Sequence, residues 1–424
     1  MMQAVKSWVD VTPDSDFPIE NLPYGVFTSS QGAHIGVAIG DSILDLHACA
    51  QAGLFDGIIE RAVLQAPRLN LLLASGRDAW SAVRERIRAI LQEGTPLVRD
   101  TNRDALLSPR VQASMLMPFE VGDYVDFYSS IEHATNLGKI FRPDTEPLLP
   151  NWRWIPIGYH GRSSTIVVDG TPITRPCGQR KAPNEATPAF GASRMLDIEL
   201  EVGFVTGPGN RMGTPIPIES ARDHIFGLLL VNDWSARDIQ AWEYQPLGPF
   251  LGKSFATSIS PWLVTLDALE PYRVPGPPQD PQPLPYLRTS EPWNYDVQLF
   301  VELQTQNMRR QGVPPHVISR TNFKYMYWNM AQQLAHATVN GTAVRPGDLY
   351  ASGTISGPAP DSYGSLIELT WRGTKPLRLP SGEERAFLED GDCVTLRGVC
   401  ESPGKPRIGF GSVSGEIVAA SIFG

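Results

Sequence analysis

Met195-Leu196-Asp197-Ile198-Glu199-Leu200-Glu201-Val202-Gly203-Phe204 alternates apolar and acidic side chains: Leu196, Ile198, Leu200 and Val202 take one set of positions, and Asp197, Glu199 and Glu201 the other. A period of two over this length predicts a β-strand with one buried face. Residues two apart on a strand point the same way and sit roughly 6.6 Å apart. Two or three carboxylates therefore project from one side with no basic residue between them. In a cleft, like charges about 4 Å apart repel by about 4 kcal/mol at an effective dielectric of about 20. A hard divalent cation with oxygen ligands relieves that repulsion. The alternation fits equally an edge strand whose acidic face lies in water, and other residues have to decide between the two.

The rest of the chain narrows the class. Its 424 residues are 42% hydrophobic and 19% charged, as in a soluble globular protein with a large core, built as two or three domains or as one large and one small. A net charge of -9 disfavours nucleic acid or an anionic membrane as partner. Thirty-eight Pro and thirty-eight Gly predict many turns in an irregular, strand-rich fold. Cys49, Cys177, Cys393 and Cys400 are scattered and form no CxxC pair, which argues against a disulfide framework and a zinc site. The first residues carry Asp10, Asp14 and Asp16 and no apolar leader, and no run of eighteen apolar residues follows, so a cytoplasmic location is expected.

Working outward from the acidic stretch, Pro118 to Tyr128 opens the second part of the chain, with Asp126 a strand-end carboxylate able to join Glu199 and Glu201. Ser129 to Lys139 predicts a short helix with a Ser cap and Gly138 near its end, carrying His133 as a candidate general base. Asn151 to Arg162 is dense in aromatics and Gly; it reads either as a twisted strand with core aromatics or as a pocket wall. In the second case Arg142, Arg153 and Arg162 would meet an anionic substrate. Leu228 to Val231 is a buried strand, and Asp233 is expected to cap a helix opened by Trp234, with Arg237 and Gln240 on one helical face. Lys253, set among Gly, Pro and Phe, needs an acidic partner.

Further along, 271–292 is a Pro-rich surface excursion, Asn322 to about His336 an amphipathic helix, and Ala351 to Gly357 a Gly-rich strand end whose N–H groups suit a substrate carboxylate. Ser365 to Trp371 alternates as a strand, with Glu368 opposite Ile367, Leu369 and Trp371. Before residue 118, hairpin-forming strands over 18–48 precede helices over 54–93, where Ala79, Val83, Ile87, Ile90 and Leu91 keep helical spacing. His34 and His47 are expected to be structural.

In chain order, Asp126-Phe127-Tyr128 with Glu132-His133, Asp197-Ile198-Glu199-Leu200-Glu201, Asn232-Asp233-Trp234-Ser235-Ala236-Arg237-Asp238-Ile239-Gln240, Gly248-Pro249-Phe250-Leu251-Gly252-Lys253-Ser254-Phe255 and Ala351-Ser352-Gly353-Thr354 resemble the fumarylacetoacetase family over essentially the whole chain. The E-x-E and N-D-x-S-A-R-D patterns are shared with hydrolases, decarboxylases and isomerases of related oxo acids. The Tyr128 to His133 segment, the Glu243 to Phe250 stretch and the N-terminal part are specific to fumarylacetoacetases.

The resemblance implies a mainly β fold with some α: a small SH3-like barrel with flanking helices over 1–118, then a large mixed β-roll catalytic domain over 119–424, in a homodimer. It implies hydrolysis of the carbon–carbon bond of fumarylacetoacetate, a small diketo acid, to fumarate and acetoacetate, the last step of tyrosine and phenylalanine breakdown. By the same resemblance Asp126, Glu199, Glu201 and Asp233 hold Ca²⁺ or Mg²⁺, with Lys253 and Thr257 beside a second metal position. Tyr128, Arg142, Tyr159, Gln240, Tyr244 and Thr354 contact substrate. His133 is the base oriented by Glu368, and Arg237, Gln240 and Lys253 form the oxyanion site. Ala256 departs from the Gly the family pattern leads one to expect. The alternatives are a relative acting on another oxo acid, such as an acylpyruvate hydrolase or oxaloacetate decarboxylase, and a non-catalytic metal-binding protein.

Overall fold

Leu228-Leu229-Leu230-Val231 lies in the strand Ile225–Asp233, every residue of which is buried. A strand points successive side chains to opposite faces, so a continuous apolar run requires a core on each side. The computed structural model, which describes residues 6–98, 101–182 and 184–421, has both. Leu228 and Leu230 enter one core with Leu396, Phe410 and Val413, whereas Leu229 and Val231 enter another with Val26, Leu72 and Trp80 from the N-terminal part.

That strand is central to an eight-stranded mixed sheet, ordered Gly158–Gly161, Tyr124–Phe127, Leu349–Ala351, Leu200–Thr206, Ile225–Asp233, Thr257–Ile259, Ile166–Val168, with Val264–Thr265 also paired to Ile225–Asp233. A five-stranded sheet built on Gln298–Gln304, Cys393–Cys400 and Ile408–Val418 packs on one side of it. The other side takes the N-terminal unit. There the expected hairpins are Tyr24–Ser29, Gly32–Ile39 and Ser42–Asp45, extended by Leu107–Pro109 and Met115–Leu116. The helix Arg77–Leu91 buries Trp80, Val83, Ile87, Ile90 and Leu91 in the core that this unit shares with the large sheet; Ala79 is only half-buried and Trp80 takes its place. The architecture is the β-rich mixed fold expected. Among the described residues, no helix is long and apolar enough to cross a membrane.

Four local expectations need correcting. The stretch 195–204 is two strands, Leu196–Asp197 paired to Ser235–Ala236 and Leu200–Thr206 between two neighbours of the large sheet. It is an interior strand buried throughout, so the edge-strand reading is overturned. Ser365 to Trp371 is not a strand but carries the short helix Leu366–Leu369; its apolar residues satisfy either period over so few positions. The expected helix from Asn322 is a strand, His316–Asn322, then a turn, and the helix proper is Met330–Thr338, begun by the Asn329–Gln332 capping box. Asp233 caps nothing: it ends its strand, and the helix starts at Arg237.

Candidate active site

Strand register assembles the carboxylates. Asp126 lies opposite Ala351 on one side and Tyr159 on the other. Glu201 pairs with Val231, two residues before Asp233, and Asp233 pairs with Thr257. By alternation Asp126, Glu201 and Asp233 share the face of Val231, at the ends of their strands. Glu199 stands at the break in the acidic stretch, where its N–H donates to Asn232 Oδ1 (3.1 Å) and its carbonyl accepts from Asp233 N (3.2 Å). Each of the four offers an oxygen within 4.8 Å of the others, and all four are buried.

Lys253 donates to Glu199 Oε2 (2.5 Å) and Asp233 Oδ2 (2.6 Å), which supplies the acidic partner its surroundings demanded. Thr257 Oγ1 donates to Asp233 Oδ1 (3.0 Å), and Gly353 N to Glu201 Oε2 (2.9 Å). Asp126 Oδ1 and Glu201 Oε1 remain buried without a partner. Burial, then the facing Asp233, pushes Asp126 well above the ordinary carboxylate range; burial, then Asp126, does the same to Glu201. Burial would also raise Glu199, but Lys253 and Arg237 hold it low. Buried carboxylates facing one ammonium, with two oxygens orphaned, are a donor set suited to a hard cation.

Beside this cluster lies a second assembly. His133, 2% exposed, sits in the first turn of the helix Ile131–Phe141, whose Ser130 cap accepts the His133 N–H. Its Nδ1 is 2.7 Å from Glu368 Oε2. Glu368 also accepts from Asn136 (2.9 Å), Ser356 (2.9 Å) and Ser365 (2.7 Å). Burial raises Glu368, yet the imidazole and these donors bring it below the usual carboxylate range. An ionised Glu368 fixes the Nδ1–H tautomer and leaves Nε2 as the open lone pair. The ring of Tyr128 stands edge-on to His133 at 5.4 Å.

Arg237 Nη1 donates to Gln240 Oε1 (3.1 Å), as the spacing predicted, and its Nε to Asp197 Oδ2 (2.8 Å). Its Nη2 forms a buried ion pair with Glu199 Oε1 at 2.7 Å, and the second N–H of that nitrogen can serve another acceptor. A cavity of about 110 Å³ borders Lys253 and Asp233, lined also by Tyr124, Tyr159, Arg162 and Phe250.

Other expected residues are more loosely placed. Arg142 donates to Pro147 O and keeps its Nε buried without a partner; Thr354 Oγ1 is likewise unpaired, and Tyr244 is 47% exposed. No hydrogen bond among the described residues joins Tyr244 or Thr354 to the carboxylates. Arg153 does not reach the site and donates to Asp280 O. The N–H groups of Ser352, Gly353, Ile355 and Gly357 are engaged by Val202, Glu201, Leu200 and Ser362, so these four do not face a substrate carboxylate. Asn136, Ser356 and Ser365 were not foreseen. Asn136 is three residues after His133 in the expected helix, a spacing that would have flagged it; Ser365 stands three before Glu368 in a stretch that reads as a strand, and neither it nor Ser356 carries such a signal.

Residues 124–418 match the family model described as fumarylacetoacetate hydrolase C-terminal, and residues 20–118 the one described as fumarylacetoacetase N-terminal. The chain belongs to the fumarylacetoacetate hydrolase family. It is 51% identical over 422 residues to the fumarylacetoacetase of Homo sapiens, covering 98% of this chain and 99% of that one. It is 52% identical over 423 residues to that of Arabidopsis thaliana, with 98% and 99% covered. Its fold is also that of a fumarylacetoacetate hydrolase from the psychrophile Exiguobacterium antarcticum, at a TM-score of 0.52 and 17% identity, covering 94% of this chain and 99% of that one. Family membership agrees with what the sequence motifs imply.

Proposed function

We propose that this protein is a fumarylacetoacetase, hydrolysing the carbon–carbon bond of fumarylacetoacetate to fumarate and acetoacetate. One observation carries the reading: identity of about half, along 98% of the chain, to proteins of that name from an animal and a plant. The site's chemistry supports it. Splitting a β-diketone needs an activated water, a place for the tetrahedral oxyanion, and a stabilised carbanion leaving group.

His133 Nε2 takes the proton of the attacking water, while Glu368 on Nδ1 orients the ring and stabilises the imidazolium. Arg237 Nη2, Gln240 Nε2 and the third N–H of Lys253 face the oxyanion; a donor of this kind is worth about 3–4 kcal/mol. Lys253 has two protons engaged, and Gln240 has only its oxygen engaged, so both keep a donor free. Tyr128, Arg142, Tyr159, Gln240, Tyr244 and Thr354 bind the two carboxylates and the diketone of the substrate. Asp126, Glu199, Glu201 and Asp233 would hold Ca²⁺ or Mg²⁺, with Lys253 and Thr257 flanking, and the ion would supply Lewis acidity toward the diketone oxygens. We further propose division near residue 118 into an N-terminal part and a catalytic part, a homodimer, and a cytoplasmic location, where four free thiols stay reduced.

The test follows the ultraviolet absorbance of fumarylacetoacetate with purified protein, with and without chelator. Loss of absorbance that needs metal, with fumarate and acetoacetate recovered, is expected. No loss with Ca²⁺ or Mg²⁺ bound would overturn the substrate, and acylpyruvates and oxaloacetate would be tried next.

A further inference from the structure

We propose that Asp197 is a positioning residue that locks the oxyanion arginine and the Glu368 helix into one frame; this rests on the hydrolytic reading of Arg237 and Glu368. Asp197 is fully buried, lies in the acidic stretch, and belongs to neither the carboxylate cluster nor the His133 pair. Its four acceptor positions are filled. Oδ1 takes Ile198 N (2.8 Å) and Leu366 N (2.7 Å); Oδ2 takes Arg237 Nε (2.8 Å) and Ile367 N (3.1 Å).

Leu366 and Ile367 open the helix whose third residue is Glu368. The first N–H groups of a helix need acceptors, normally from the side chain of the preceding residue. Here Ser365 precedes the helix and makes no such bond; its hydroxyl donates to Glu368 Oε2 instead. The cap comes from Asp197, 169 residues away in the chain. One carboxylate thus frees Ser365 to hold the orienting Glu368, and fixes Arg237 by its Nε so that Nη1 and Nη2 face Gln240 and Glu199. Base and oxyanion site are on separate elements, and a fraction of an ångström between them matters: a 1 Å misplacement lowers rate by about 10²-fold.

Asp197→Asn keeps the size and turns one acceptor into a donor facing N–H groups. In full-length, metal-loaded protein, kcat is expected to fall about 10²-fold. KM is expected within about threefold and Ca²⁺ affinity by calorimetry unchanged, because uniform binding is untouched. The Asp197→Asn/Glu368→Gln double variant should lose less than the product of the single losses. Ser365→Ala, a smaller change, should lower kcat, with the melting temperature lowered only modestly by the loss of one hydrogen bond to a buried carboxylate. Parental kcat in folded Asp197→Asn, a parallel loss of Ca²⁺ affinity, or losses that multiply fully would overturn the proposal. So would Ser365→Ala melting lower with kcat intact, since Ser365 would then be the cap; this arm stands even where Asp197→Asn does not fold. Glu368→Gln with parental kcat would overturn the hydrolytic reading as well, whereas Glu368→Gln inactive beside active Asp197→Asn overturns this inference alone.

Discussion

His133 has one nitrogen committed to Glu368 and one open, and the reading of the site turns on that asymmetry. Replacing His133 with Ala removes the base and leaves the four carboxylates in place, so kcat is expected to fall by about 10²–10⁴-fold while calorimetry shows Ca²⁺ binding as before. Near-parental turnover would discard His133 as the base. Glu368 yields a pH prediction. A carboxyl held below its ordinary range in the fold stabilises the protein above its unfolded pKa, and that stabilisation disappears as pH falls through the folded value. Between pH of about 5 and about 3, the parent should therefore lose melting temperature faster than Glu368→Gln. Equal slopes would mean that Glu368 is not held ionised by its neighbours. At this scale the sequence was informative where chemistry forces a type: a lone Lys in apolar company had to find acid, and did. It was silent where a residue acts through contacts distant in the chain, as Ser356 does on Glu368.

Elements were legible in proportion to their length. The helix Arg77–Leu91 kept a clear helical period and the apolar run Leu228 to Val231, inside a nine-residue strand, read as buried, whereas the four-residue helix holding Glu368 was taken for a strand. Gly138 shows a different failure. Its place near the end of a periodic segment suggested a stop, yet the helix runs on to Phe141. A Cβ on Gly138 would come within 2.1 Å of Pro147 O, so this glycine lets the chain returning from Arg142 cross the helix closely. Gly138→Ala has to push backbone aside and is expected to destabilise by about 1–3 kcal/mol, read from thermal melts, with Arg142 displaced. An unchanged melting temperature would show that the crossing is loose. Gly353 is constrained otherwise: at a φ of +77°, and where a Cβ would come within 2.1 Å of Phe127 O, it turns its N–H to Glu201.

Among the described residues the two large cores are divided by one sheet, with the carboxylates at the sheet's end. Charges clustered in this way oppose the compact state until a cation compensates them. Ca²⁺ or Mg²⁺ at a hundredfold excess over Kd is expected to stabilise the fold by about 2.7 kcal/mol, read as a raised melting temperature that chelator reverses. No shift with either ion would rule out the proposed metal. The double-sided sheet was readable in its apolar strand, but its partner on each side was not, because no short pattern says which distant segment covers a face.

That sheet ties the fate of the first hundred residues to enzyme abundance. Trp80 stands edge-on to Phe226 at 5.1 Å, one from the N-terminal helix and one from the central strand, far in sequence from every reacting group. Trp80→Ala opens a void there of the kind that weakens a fold by about 3–5 kcal/mol. Such a loss enlarges the unfolded fraction that a cell's proteases remove. Cells carrying it would hold fewer copies of a protein whose surviving molecules turn over substrate at the parental rate, a pattern that immunoblotting alongside assay of purified protein would separate from damage to the site.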